Sequence, residues 1–361
     1  MAGWRYFSVS TGTWGGKIEL PAFNFTGGRR LNGGTGGTAT FKVGDPSVAE
    51  VVTAASITPL ERILVAEWDG NAVYAGFITS VAEDQDEQTV TVTHQDIWWL
   101  WQRRHVLSVR GDGAQSAPAM TYSNRTLATL ANLVVARGMN GTPAARYALP
   151  LIMNADVAGP HSRTYYGYKF ESVADALQEL MDTDGGPDID FDVQWDSGTG
   201  SFRWVMRSGS LTSGEWEWDA TATHMEVHGL KLDTTAEDVT NRVIGRGEGS
   251  GEDILVRAAD SFTGTAPALE SVPSFSGTSN AAQLQSRVTG ALNAANEPVQ
   301  QISFKIPAGG DVKIGQFILG GNAHLKTSGL RFLSAGWHDW RLIQFDFDRD
   351  WITLQFQQIG G

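Results

Sequence analysis

Cysteine is absent from this 361-residue chain. That excludes a disulfide framework, a thiolate metal site and a cysteine nucleophile, and it leaves the redox compartment open. Lysine is scarce as well, with only seven residues, while 40 acidic side chains bring the formal charge to -13. A sequence-reading nucleic-acid binder needs clustered Lys and Arg to displace counterions, so that class is excluded and any contact with DNA is expected to be non-adhesive. No basic, apolar leader opens the chain, and no apolar run approaches the ~20 residues that a membrane span needs. We expect a soluble protein with no signal peptide and no membrane span. Neither a GxSxG elbow nor an HExxH pair occurs, so the standard hydrolase signatures are missing.

The 41% apolar content and the length favour two or three globular domains with real cores. Thirteen Trp and 42 Gly point to a β-rich protein with many turns and large aromatic anchors, although Trp enrichment also suits a sugar-binding protein. The most informative stretch is Ile63 to Arg104. Ile63-Leu64-Val65-Ala66-Glu67-Trp68 and Ala72-Val73-Tyr74-Ala75-Gly76-Phe77-Ile78 flank the turn signal Asp69-Gly70-Asn71, which predicts a β-hairpin. Thr89-Val90-Thr91-Val92-Thr93 alternates as a third strand. It leads to Asp96, a candidate N-cap for a helix through Ile97-Trp98-Trp99-Leu100-Trp101-Gln102-Arg103-Arg104. Leu100 is expected to be buried, and Arg103 and Arg104 to lie at the surface as a candidate interface. Adjacent positions on a helix point in different directions, so the Trp98 to Trp101 cluster predicts burial rather than a flat sugar-stacking platform.

Three segments follow from texture. Residues 1–104 read as β, interrupted by Gly27-Gly28 and Gly33-Gly34-Thr35-Gly36-Gly37, which we read as a mobile loop. Gly12-Thr13-Trp14-Gly15-Gly16-Lys17 is rejected as a P-loop, because its glycine spacing is one short and Ile18 replaces the Mg²⁺-binding hydroxyl. Residues 105–213 read as α+β. One amphipathic helix is capped by Ser123 or Asn124, and another opens with Ser172 and Asp175. Asp188 to Trp195 then alternates as an acidic strand paired with Phe202 to Val205. Residues 214–361 read as β again, with strands at His224–Leu232, Val239–Gly247, Ile254–Arg257, Gln300–Ile306, Gly315–Leu319, Arg331–Trp340, Leu342–Phe347 and Trp351–Gln357. A small helical insertion around 260–300 is capped by Asn280 and stopped by Pro298.

The DG hairpin with its Tyr74-Ala75-Gly76 step, the alternating strand and Asp96-x3-Leu100-x2-Arg103 resemble the first domain of the tail-tip hub proteins of long-tailed, siphovirus-type bacteriophages. Asn241 to Gly247, and the Ala281–Asn296 stretch leading into Ile302–Ile306, match the second half of that family in kind. The resemblance implies a mainly β fold: two tail-tube-like barrel or sandwich domains with smaller α+β domains inserted. It implies a minor tail protein at the distal end of a non-contractile tail, made in the host cytoplasm and assembled as a homotrimer of pseudo-sixfold symmetry. Its implied partners are the distal tail protein ring, the tape measure protein, other minor tail or receptor-binding proteins, and genomic DNA in passage. The chain departs from many relatives at Gln355 to Gly361, where no long receptor-binding or lytic extension follows the last strand.

Candidate chemistry is sparse. His224 and His228 on one strand lie roughly 13 Å apart, too far for one metal. Asp182-Thr183-Asp184-Gly185-Gly186 puts its glycine at loop position 4 rather than 6 and lacks the closing Glu, so the pattern disfavours calcium without excluding weak binding. Asp346, Asp348 and Asp350, with Glu215 or Glu217, offer a nominal carboxylate pair, but alternating acids on a strand usually form a solvated face. Trp216 and Trp218 share one strand face and are candidates for an interface or a small core. We therefore expect no catalytic residue, metal or cofactor. A carbohydrate-binding module is the first rival reading and a peptidoglycan hydrolase the second.

Overall fold

The computed structural model describes residues 3–107, 119–223, 226–275 and 278–359. The molecule is mainly β, with α+β elements inserted between two large sheets. The hairpin forms where the sequence places it: Arg62–Trp68 and Asn71–Asp84 are joined by the two-residue loop Asp69-Gly70. Asp69 and Gly70 both have positive φ, +48° and +84°, as a type I′ turn requires. Thr89–Gln95 continues the meander and returns to pair with Gly36–Lys42. The complete first sheet runs, in spatial order, Ile18–Glu19, Trp4–Ser10, Arg62–Trp68, Asn71–Asp84, Thr89–Gln95, Gly36–Lys42, Asn24–Phe25.

The second sheet repeats the four-strand core of this path, although its flanking strand Glu215–Asp219 joins Asn322–Thr327 in parallel. Val299–Pro307 is laid down first, and the meander Asn322–Thr327, Gly336–Phe347, Trp351–Gln358 follows, its last strand pairing back onto the first. A short helical link bridges the equivalent step in both sheets: Pro46–Val51 with Ala54–Ile57 in one, the 3₁₀ turn Ile314–Gln316 in the other. No fixed sequence period announces the repeat, because it lies in strand order rather than in spacing.

Several expectations are corrected. The glycines of 27–37 are not a loop alone: Gly27–Arg30 and Gly36–Lys42 are strands, and the former pairs with Gln344–Phe347 of the second sheet. A Cβ on Gly28 would stand 2.5 Å from the Phe345 carbonyl oxygen, so glycine serves close backbone approach here. Gly315–Leu319 is no strand, because the 3₁₀ turn occupies its start. Arg331–Trp340 and Leu342–Phe347 are replaced by one strand, Gly336–Phe347, with a register shift between Leu342 and Gln344. The His224–Leu232 strand is found as His228–Thr235, and His224 lies outside the described residues.

Between the sheets in sequence, Leu127–Gly138 and Val173–Met181 pack on a small sheet of Leu151–Ile152, Phe202–Gly209 and Asp188–Trp195. The cap of the first of these helices is Thr126, whose Oγ1 accepts from Thr129 N at 3.2 Å, and not Ser123 or Asn124. Those two residues belong to the strand Met120–Arg125, which pairs with His161–Tyr165. Ser172 and Asn280 cap their helices as read. Helix Ala281–Ala295 covers a sheet of Val256–Asp260, Arg242–Arg246 and Glu270–Ser271, closing a small core of Val243, Phe275, Leu284, Val288 and Leu292. This unit begins well before residue 260.

The main cores cross the segment limits. One face of the first sheet, with Phe25, Leu64 and Tyr74, packs on the inner face of the second, with Phe304, Trp340, Phe345, Leu354 and Phe356. The opposite face, with Phe7, Ile63, Val65 and Phe77, packs on Trp101, Leu130, Val134, Leu177, Phe191 and Trp204.

Candidate functional site, a buried ionic joint between modules

Asp96 ends the meander of the first sheet and caps the five-residue helix Ile97–Trp101, shorter than the stretch to Arg104 that the sequence suggests. Its Oδ1 accepts from Trp98 N at 3.0 Å, and its Oδ2 accepts from Thr35 N at 2.6 Å and Thr35 Oγ1 at 3.3 Å. Burial pushes the carboxyl up to about 7, against the backbone donors of Thr35 and Trp98, which favour the ionised form. Gly34 permits this contact, since a Cβ there would meet the Trp98 Cβ at 2.7 Å. Trp98 and Trp101 are buried against Phe191, whereas Trp99 is half-buried beneath the Arg103 guanidinium at 4.1 Å.

Leu100 is half-buried, not enclosed as expected, because the helix is too short to turn this side chain fully under the sheet. It lines a groove of about 620 Å³ with Trp14, Phe77, Trp99 and Arg103. Arg103 is exposed at that groove. Arg104 is held within the chain: Nη1 donates to Gly138 O at 3.2 Å and Tyr147 O at 2.6 Å, and Nη2 donates to Arg146 O at 3.2 Å. These carbonyls include the C-terminal end of helix Leu127–Gly138, a natural place for a cation. On strand Glu215–Asp219, Trp218 is buried in the core and Trp216 is half-buried at its margin. Trp218 packs on Phe304, Phe317 and Phe356, and Trp216 on Phe317.

The residues that join the modules were not singled out from sequence. They are the alternate acids of Asp188–Trp195, which leave the small sheet on the side opposite Ile189, Phe191 and Val193. Asp190 is 1% exposed and receives Arg29 Nη2 at 2.6 Å and Arg207 Nη1 at 3.1 Å. Asp192 takes the other Nη of Arg29, and Asp188 pairs with Arg341 of the second sheet. Arg29 sits on the strand that the first segment lends to the second sheet. One acidic strand thus fastens the second sheet, with the strand that the first segment lends to it, to the inserted module. Burial raises the Asp190 pKa, opposed by Arg29 and Arg207, so the pair is satisfied only as a unit. The signal was present as Asp-Ile-Asp-Phe-Asp-Val, but alternation alone does not say whether the polar face meets water or arginine.

Several of the nominal reactive groups are engaged within the fold, among them Glu215, which pairs with His324 at 3.1 Å. Asp348 accepts from Asp350 N and Trp351 N in a turn, and His228 packs edge-on against Trp351. His94 is buried beside Tyr74 Oη at 2.8 Å, and burial lowers its pKa to about 3. Among the described residues, no three His, Asp or Glu side chains converge as a metal would require, and Asp182 closes a helix.

The sequence matches no protein-family model and no curated protein. The fold, however, is shared over almost its whole length with solved phage tail proteins. It superposes on the tail protein from Neisseria meningitidis MC58 with a TM-score of 0.59 at 12% identity, covering 99% of this chain and 97% of that one. The 43 kDa tail protein of prophage MuSo2 from Shewanella oneidensis gives 0.59 at 12% identity, with 98% of each chain covered. Prophage tail protein gp18 from Listeria monocytogenes EGD-e gives 0.51 at 10% identity, with 97% and 94% covered. At such identities the likeness is one of fold.

Proposed function

We propose that this chain is a structural hub of a bacteriophage tail tip, three copies of which close a ring at the distal end of the tail. The observation that carries the reading is the repeated strand path of the two seven-stranded sheets within a fold shared with phage tail proteins. Each chain supplies two tube-like units, so three chains supply six, the number needed to meet a hexameric tube. The apolar core shared by the two large sheets supports the same reading, because a ring under load needs its two units held as one body.

In this reading the distal tail protein ring and tape measure lie above, and receptor-binding or other minor tail proteins attach below. DNA passes without specific binding, since a net charge of -13 repels its backbone. The role is mechanical, with no turnover, cofactor or metal. Class averages of tail tips from virions carrying an antibody-labelled chain are expected to show three copies per tip. Six copies or one would end the proposal, and release of peptidoglycan fragments by the purified chain would remove its non-enzymatic part.

A further inference from the structure

Helix Ala281–Ala295 and its sheet form a unit with a separate core, and this unit meets the inserted module through polar groups. Gly290 brings the helix against the backbone of Asp182–Asp184, where a Cβ would come within 2.5 Å of Asp184 N. Beside that contact lies a polar cavity of about 120 Å³ lined by Arg163, Tyr165, Glu171, Glu179 and Arg287, with the Ser162 hydroxyl at its wall. This is ample room for a tetrahedral ion with some water.

Two arginines face the cavity, and each is more than nine-tenths buried: Arg163 at 8% exposure and Arg287 at 3%. Arg287 holds a carboxylate, donating from Nη1 to Glu179 Oε2 at 3.0 Å. Arg163 holds none. Its Nη1 donates to Ser162 O at 3.0 Å and its Nη2 to Thr183 Oγ1 at 3.1 Å, so its hydrogen bonds go to neutral acceptors and Glu179 acts on it only through space. Arg29, the other arginine buried to this degree among the described residues, has two carboxylates. Both Arg163 Nε and Arg287 Nε lack a hydrogen-bond acceptor among the described residues, and so does one carboxyl oxygen of Glu171 lack a donor. A buried cation without an anion is among the costliest arrangements a fold can keep. Here it repeats a like charge nearby.

We infer that this cavity is a binding site for a small tetrahedral oxyanion of the phosphate or sulfate class, which locks the 281–295 helix unit to the inserted module. The two free Nε–H groups and the Ser162 hydroxyl supply donors on one side. Glu171 is no obstacle, because burial and the neighbouring Glu179 push its carboxyl up to about 8, and the protonated form adds a further donor. The charged groups around Glu171 are Glu179 and Asp175 on helix Val173–Met181, Arg163 on strand His161–Tyr165, Lys169 in the following turn and Arg287 on helix Ala281–Ala295; Tyr165 is the further titratable group. Lys169 is itself paired with Glu248 at 3.8 Å, so with Glu171 protonated the two buried arginines share one carboxylate, that of Glu179.

The test is thermal unfolding and calorimetric titration of the full chain with potassium sulfate and with inorganic phosphate, against potassium chloride at matched ionic strength. Saturable stabilisation by both oxyanions and not by chloride is expected. Arg163→Met should weaken binding at least about tenfold, the loss of a charge-assisted hydrogen bond. Arg163→Lys, which keeps the charge without the fork, should bind more weakly than the parent and keeps the comparison available if the Met variant does not fold. Sulfate does not titrate near neutrality, so its affinity should fall as pH rises through about 8 in the parent and stay level in Glu171→Gln. Sulfate also stabilises proteins generally, by exclusion from their surfaces. A response that is linear in concentration, or one that survives Arg163→Met undiminished, overturns the site and leaves the cavity to water.

Discussion

The two large sheets follow the same strand path, yet their burial differs in kind. Arg62–Trp68 of the first sheet is buried at every position after its first residue, and the start of Asn71–Asp84 is buried without a break from Ala72 to Ile78. Trp351–Gln358 and Asn322–Thr327 of the second sheet alternate between buried and partly exposed. The first sheet is the middle layer of the molecule, with the second sheet on one face and the inserted module on the other. The second sheet has one core face. At equivalent places one topology has therefore produced the run Ile-Leu-Val-Ala in Arg62–Trp68 and the alternating Ala-His-Leu-Lys-Thr of Asn322–Thr327, because sequence pattern records neighbours rather than strand order.

The largest effect should come from breaking what fastens the second sheet to the inserted module. Arg29→Ala leaves Asp190 buried without its principal partner and should cost about 3–5 kcal/mol in urea unfolding. Combining Arg29→Met with Asp190→Asn removes the stranded charge and should recover much of the loss. Equal destabilisation in the single and double variants would show that packing, and not the ion pair, joins the second sheet to the inserted module.

Neighbouring substitutions sharpen the contrast between layers. Ile63→Ala and Leu64→Ala face opposite cores and should each cost about 2–5 kcal/mol. In the second sheet, Phe356→Ala should cost about 3–5 kcal/mol, whereas its neighbour Gln357→Ala should stay within about 0.5 kcal/mol. If Ile63 or Leu64 proved as tolerant as Gln357, the first sheet would not be a middle layer.

This contrast also explains what sequence could convey. The Asp69-Gly70 hairpin, the Ser172 and Asn280 caps and the alternating C-terminal strands depend on residues a few positions apart, and they were legible. Gly27–Arg30 was not, because its partner strand lies more than 300 residues away and four residues of Gly-Gly-Arg-Arg carry no strand pattern. Trp216 and Trp218 were correctly assigned to one face, but only the position of Phe317 decides that this face is core. The Asp188–Asp192 row fails for the same reason: its arginine partners come from residues 29, 207 and 341.

A smaller effect than the core truncations concerns the place where the first sheet ends in a buried carboxylate while the matching strand of the second ends in exposed Gln357 and Gln358. Asp96→Ala loses the helix cap and should cost about 0.5–2 kcal/mol. Asp96→Asn keeps a capping oxygen and isolates the charge. Burial raises the Asp96 carboxyl from 3.8 to about 7 in the folded chain, so between these values the native state holds a proton that the unfolded state has released. The resulting stabilisation is complete below the unfolded value and is lost as pH rises through about 7. The Asn variant has no such titration. Its stability relative to the parent should therefore improve steadily from pH 4 to pH 8, measured as the difference in unfolding free energy at matched urea. A parent that instead gains on Asp96→Asn with rising pH would mean that the hydrogen bonds from Thr35 and Trp98 outweigh burial, and that Asp96 works as an ionised cap throughout.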